Sequence, residues 1–334
     1  MFHDPRPPNP KRPRDAPAGV EASQDSVDGL KRSEEFWIQD GNIVLVAGET
    51  AFRVYRGLLA LQSMIRLTDS PQDLAHLLRV LLPTSRIFLY PSKGDPPLSL
   101  NKISAIIRLT HIYHVEDLLR QALSVLQDSF TSSFKAWEDE SRVLPMDTNG
   151  ADPIAAVNLA RLTDTSLVLP LALYTCCEAG PIIIDGWERE DGTIECLSSA
   201  DLKRCIGARE ELAREAFSLV SVIFNPDPSE KCTTRDACNT ALRRTLASVL
   251  RLDSVATPSV LDTWGPIIQG NARPQNEVGY CSACKRDLLA RDVRERKRIW
   301  NGLPKMFDVE VPNWNQDLVE EGQDDDNADE NAGN

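Results

Sequence analysis

FWIQDGNIVLVAGETAFRVYRGLLALQS, residues 36–63, decides how the N-terminal part of the chain folds. Its first half reads as strand, because Phe36 and Ile38 alternate with Trp37 and Gln39 and Ile43 to Val46 are β-formers. Asp40-Gly41 between them supplies the positive φ of a two-residue hairpin turn, and Gly48-Glu49 supplies a second turn. Thr50 to Val54 alternates again, so three short strands are expected as a meander. From Leu58 the spacing of Leu58, Leu59 and Leu61 changes to that of a helix.

Working outward, Ile65-Arg66-Leu67 reads as the next strand. Ser70-Pro71 opens a helix by cap and first-turn preference, with Leu74, Leu77, Leu78 and Leu81 on one face and Pro83 beyond its end. Arg86 to Tyr90 is a further short strand. Ser99 caps a helix with Leu100, Ile103, Ile106 and Ile107 at helical spacing, and a second helix follows from Val115. Residues 137–152 are polar and loop-like, and beyond them helical patterns dominate. Asp152-Pro153, Thr165, Ser199 and Thr233 or Thr234 stand as caps, and a last helix runs from about Cys281 to Trp300.

The order Asp40, Ile43 to Val46, Phe52, Val54, Arg56, Leu58, Leu59, Ala60, Ser63, followed by Ile103, Ile106, Leu109, Thr110, Tyr113 and Leu118, resembles a BTB/POZ domain. It is closest in pattern to fungal BTB proteins with a long cysteine-containing C-terminal half. Tyr55 stands where such domains usually carry histidine, and Ser63 runs straight into MIRLTDSP where they have a second core helix. The chain is therefore either a shortened domain or a sequence from which a coding segment has been skipped. The resemblance implies an α/β (α+β) N-terminal domain over 34–137, incomplete, followed by a mainly α-helical domain over 152–310. It also implies a non-catalytic protein-interaction role, with self-association as a homodimer through Asp40, Tyr55, Arg56 and Leu59. Asp40 and Arg56 are there expected as a charged pair. A cullin-type ubiquitin ligase scaffold and transcription-linked factors are the implied partners.

Composition bounds the remainder. Residues 1–33 carry six prolines in the first 17 positions and 311–334 are acidic, so both ends are expected to be disordered. From Asp317 onward there are eight acids and no base, which leaves −5 of the net −13 for the other 316 residues and gives no general affinity for nucleic acid. Pro10-Lys11-Arg12-Pro13-Arg14 with Lys31-Arg32 matches a nuclear import signal, and also an ordinary solvated tail. No window reads as the ~20 apolar residues of a membrane span, so an intracellular protein, nuclear or cytoplasmic, with reduced cysteines is expected.

Cys281-x-x-Cys284 at a helix start is the sharpest chemical signal. Two thiolates at that spacing can share one tetrahedral zinc ion, and closure needs two more ligands. All four histidines lie in the first 114 residues, so Cys232 and Cys238 are the nearest candidates: C-x5-C, a 42-residue gap, then C-x-x-C. Cys238 is equally placed to be a small core residue beside Leu242, Leu246 and Val249. Cys176, Cys177, Cys196 and Cys205 lack ligand spacing, and His111 and His114 lack companions. The seven bases of Lys285 to Arg298 suggest a DNA-associated regulator acting with the basic arm, but Asp287-Arg291 and Asp292-Arg296 at i,i+4 favour a solvated helix face. The phosphate-loop, dinucleotide-binding, nucleophile-elbow and H-E-x-x-H motifs are missing, so no enzyme class is predicted.

Overall fold

The computed structural model describes residues 29–55, 64–82, 89, 96–139, 141–142, 144–146, 153–251, 258–270 and 279–314. The architecture is mixed α/β, a small mixed sheet and a helical C-terminal part. Two compact units divide between Leu82 and Pro83. The helix expected from Leu58, all but Leu89 of the strand expected over 86–90, residues 1–28 and 315–334 of the terminal tails, Arg56 and Leu59 lie outside the described residues.

Among the described residues, the first unit is a four-stranded sheet backed by one helix. Strands β1 (Lys31–Trp37), β2 (Ile43–Ala47), β3 (Thr50–Val54) and β4 (Met64–Leu67) take the order β1-β3-β2-β4. The β2–β3 hairpin forms as expected, antiparallel, with Gly48 at φ +52°. The three-strand meander does not. Strand β1 starts at Lys31, inside the stretch expected to be disordered, and runs parallel to β3 instead of pairing with β2. Residues 38–42 instead carry the chain around the end of β3, where Ile38 N–H bonds Arg53 O (2.9 Å) and Asn42 N–H bonds Val54 O (3.0 Å). Gly41 is needed for close approach and not for a positive φ: a Cβ there would stand 3.0 Å from Val54 O and 3.1 Å from Ile38 O.

Helix α1 (Pro71–Leu81) is capped by Ser70, whose Oγ accepts from Asp73 N–H at 3.1 Å, with Pro71 in the first turn. It lays Leu74 and Leu78 on Phe36, Ile43, Leu45, Ala47, Phe52 and Val54. Each such side chain contributes about 1.5–3 kcal/mol by leaving water. Arg79 forks onto both oxygens of Glu35, and that guanidinium holds the Glu35 carboxyl below its ordinary range.

The second unit is built of helix pairs. Helices α2 (Leu100–Ile112) and α3 (Glu116–Ser129), expected to complete the N-terminal domain, belong here, and α2 packs on α5 (Pro153–Leu162). A short α4 (Phe134–Glu138) occupies ground that reads as loop from Trp137, because Phe134 and Trp137 close on the Trp300 ring at 5.8 and 5.7 Å. Helix α6 (Leu169–Ala179) is buried between α5 and the long α7 (Ser199–Ile223). The span Ser166–Ile184 is, over 19 residues, long and apolar enough to cross a membrane, against the expectation that no window is. It is 61% buried inside the protein and interrupted by Gly180 at φ +73°, as a core helix would be.

A two-residue hairpin, β5 (Trp187–Glu188) with β6 (Ile194–Glu195), precedes α7. The cap of α7 is Ser198, one residue ahead of the expected Ser199, since Ser198 Oγ accepts from Asp201 N–H at 3.1 Å. Helices α8 (Arg235–Val249), α9 (Gly265–Gln269) and α10 (Ser282–Met306) follow. Helix α10 continues past the expected Trp300 and through Pro304. Proline cannot donate to the carbonyl four residues back, and that carbonyl, Trp300 O, accepts instead from the Trp314 indole at 2.9 Å.

Candidate metal centre

Helices α8 and α10 begin side by side, and each contributes two cysteines. Cys232 lies just before the α8 cap Thr234, and Cys238 one turn inside the helix. Cys281 is the extended N-cap of α10 (φ −66°, ψ 163°) and Cys284 stands in its first turn. The four sulfurs all lie within 4.8 Å of one another, with Cys281 Sγ 3.7 Å from Cys232 Sγ. A zinc–sulfur bond of about 2.3 Å sets the edge of a tetrahedron at roughly 3.8 Å, so this spacing suits an ion at the centre.

The helix starts are arranged for sulfur and not for ordinary caps. Neither Thr234 nor Cys281 makes a side-chain capping bond to its own helix. Thr234 Oγ1 stands 3.3 Å from Cys238 Sγ, and Cys281 N–H donates to the same sulfur at 3.3 Å. Nearby backbone N–H groups of Cys284 and Thr233, short of a capping bond, favour the Cys281 thiolate and lower its pKa to about 6. Burial acts the other way, raising the Cys284 and Cys232 thiols. Two helix N-termini directed at one cluster offset the negative charge that four thiolates around a divalent ion would carry. Soft sulfur donors in a four-fold set suit zinc, and with every position taken by protein they leave none for substrate.

Cys238 is fully buried, above the buried Leu242 of α8, as a small core residue would be, and its sulfur also stands within 4.8 Å of the other three. The remaining cysteines divide by burial. Cys176, Cys177 and Cys205 lie in the α6–α7 core, where Cys177 S–H donates to Cys205 O at 3.4 Å, and Cys196 is exposed. His111 and His114 sit at the end of α2, His114 exposed with φ +56°, and among the described residues they join no metal-ligating group.

In the first unit Asp40 accepts from the Tyr55 hydroxyl at 2.7 Å. Tyr55 is 42% exposed, and the aspartate beside it raises its pKa.

The face of α10 expected to be solvated is not. Asp292 and Arg296 pair at 2.9 Å as the i,i+4 spacing indicates, but both are buried, and Arg296 also grips Glu138 of α4, Nη2 to Oε2 at 2.9 Å. Asp292 further accepts from Thr263 Oγ1 (3.0 Å) and Trp264 N–H (3.3 Å). Sequence reasoning missed this network, although Leu288, Asp292, Ile299 and Leu303 already fall on one helical stripe that puts both charges inward. Arg291 and Arg298 are likewise held, by Asp287 at 2.7 Å and Glu215 at 2.6 Å.

No protein-family model, no curated protein and no solved structure matches this chain.

Proposed function

We propose that this chain is a non-catalytic protein-interaction protein whose helical unit is closed by one structural zinc ion on Cys232, Cys238, Cys281 and Cys284. The observation that carries the reading is the meeting of four sulfurs within 4.8 Å at the starts of two helices. A four-cysteine set with no open position suits structure and not catalysis. The test is the metal content of full-length protein purified without added metal. One zinc per chain is expected, falling to background in C238S and C284S. Wild-type protein that holds no zinc and gains none on titration removes the reading.

The interaction role rests on the N-terminal unit and on the resemblance of residues 36–63 to a BTB/POZ domain. The supporting observation is that Asp40 and Tyr55, two positions that the resemblance places at a dimer interface, are exposed and bonded to each other. Self-association is the expected outcome. Light scattering during gel filtration should give about twice 37.1 kDa, and a monomer across the micromolar range would withdraw self-association from the proposal.

A further inference from the structure

The geometry points to Cys232 and Cys281 as a modification site, a thiol pair that a hydroperoxide closes into a disulfide, displacing the metal while keeping α8 and α10 joined. Metal displacement rests on the zinc reading above, whereas the choice of pair does not. Their sulfurs are 3.7 Å apart, and a disulfide requires about 2.05 Å, so closure must bring them roughly 1.7 Å nearer. Both residues are half-buried, whereas Cys238 is 0% and Cys284 2% exposed. Cys232 stands in irregular chain before α8 and Cys281 at an N-cap, where the backbone can yield; Cys238 and Cys284 are fixed inside helices. The Cys238 sulfur is further held by the Cys281 N–H and the Thr234 hydroxyl.

The step balances. The Cys281 thiolate attacks one peroxide oxygen, an S–O bond forms, the O–O bond breaks, and the other oxygen leaves with a proton as water or alcohol. The Cys232 thiolate then attacks the resulting sulfenic sulfur, the S–S bond forms, and hydroxide leaves and is protonated to water. Two electrons pass from the sulfurs to the peroxide. Zinc is left with Cys238 and Cys284 alone, half of its tetrahedral set, and departs. The new covalent link joins the same two chain segments that the metal joined, so one staple replaces another.

The test uses full-length protein in a C196S background, which removes the exposed thiol. Hydrogen peroxide is added, zinc release is followed with a chromogenic chelator, free thiols are counted, and disulfides are mapped by peptide mass spectrometry. Expected are the loss of two thiols per chain, a Cys232–Cys281 peptide, release of zinc in step, and a melting temperature close to that of the zinc form. Reduced, chelated protein should melt well below both. In C232S, peroxide should instead leave a dimedone-reactive sulfenic acid on Cys281. A disulfide mapped to Cys281–Cys284 or Cys238–Cys284, or thiols that survive excess peroxide, overturns the proposal. Protein that contains no zinc yet forms the Cys232–Cys281 bond refutes metal displacement and the zinc reading, and upholds the pair. Zinc-loaded protein oxidised at another pair refutes the pair alone.

Discussion

At the scale of single residues, the sharpest electrostatic consequence lies away from the cysteines, at Glu178 near the end of α6. Burial pushes its carboxyl up to about 7, against hydrogen bonds from Ser259 and from the Tyr174 hydroxyl, which lies 3.1 Å away. Tyr174 is buried and in turn accepts from Leu261 N–H at 3.2 Å, so the ionised form of Glu178 is held where water is scarce. A carboxyl whose pKa is higher folded than unfolded adds stability only while protonated. Its contribution is whole below the ordinary value of 4.5, falls as pH rises, and is gone above about 7. Gln keeps the acceptor oxygen and removes the charge, so E178Q should match wild type near pH 4.5 and exceed it at pH 8 by about 2–3 kcal/mol. Urea unfolding of the two proteins at both pH values measures this, and a difference that does not grow with pH rejects it.

Among the elements, α8 is the one that depends most on the cluster. It packs chiefly on α7, and its exposed face carries Arg243, Arg244 and Ser248, so little apolar area holds it. Its start and that of α10 lack side-chain caps of their own. Chelation should therefore speed hydrogen exchange at Cys238 to Leu242 and over the first turns of α10 by at least tenfold, while α5, α6 and the middle of α7 stay protected; exchange unchanged across α8 would deny the metal this role. Much of that arrangement was legible beforehand. Cys281 and Cys284 announce themselves by spacing, and Ser70, Val115 and Thr234 mark helix starts through cap preference or the change of pattern. What the sequence hid is tertiary. Whether Cys232 and Cys238 meet Cys281 across the intervening residues depends on α8 folding back beside α10, which no local pattern encodes. Gly41 was legible as a turn glycine, but its reason, the close passage of β3, is a matter of strand order. The i,i+4 spacing of Asp292 and Arg296 gave the pair correctly, while their burial depended on Glu138 arriving from α4 and Thr263 from the segment before α9. Breaking such a pair from one side leaves an uncompensated buried charge, which is why a surface reading of that helix understates its cost.

For the whole molecule, each of the two units carries its own core: Phe36, Leu45, Phe52, Leu74 and Leu78 in the first, and the buried faces of α5, α6, α7 and α10 in the second. The cluster lies wholly within the second, so a bound ion stabilises that unit by mass action and has no direct hold on the sheet of the first. The first, ending at Leu82, is small enough that burial alone leaves it only modestly stable. Five of the six tryptophans, Trp137, Trp187, Trp264, Trp300 and Trp314, belong to the second unit, and Trp37 alone to the first. Tryptophan fluorescence on heating therefore reports mainly the unit with the cysteine cluster, whereas far-ultraviolet circular dichroism reports both. Adding a zinc chelator should lower the fluorescence midpoint and leave a second, dichroism-detected transition where it was. If both transitions move together, or a single one carries all of the signal, the units unfold as one cooperative body, and the ion stabilises the sheet through it.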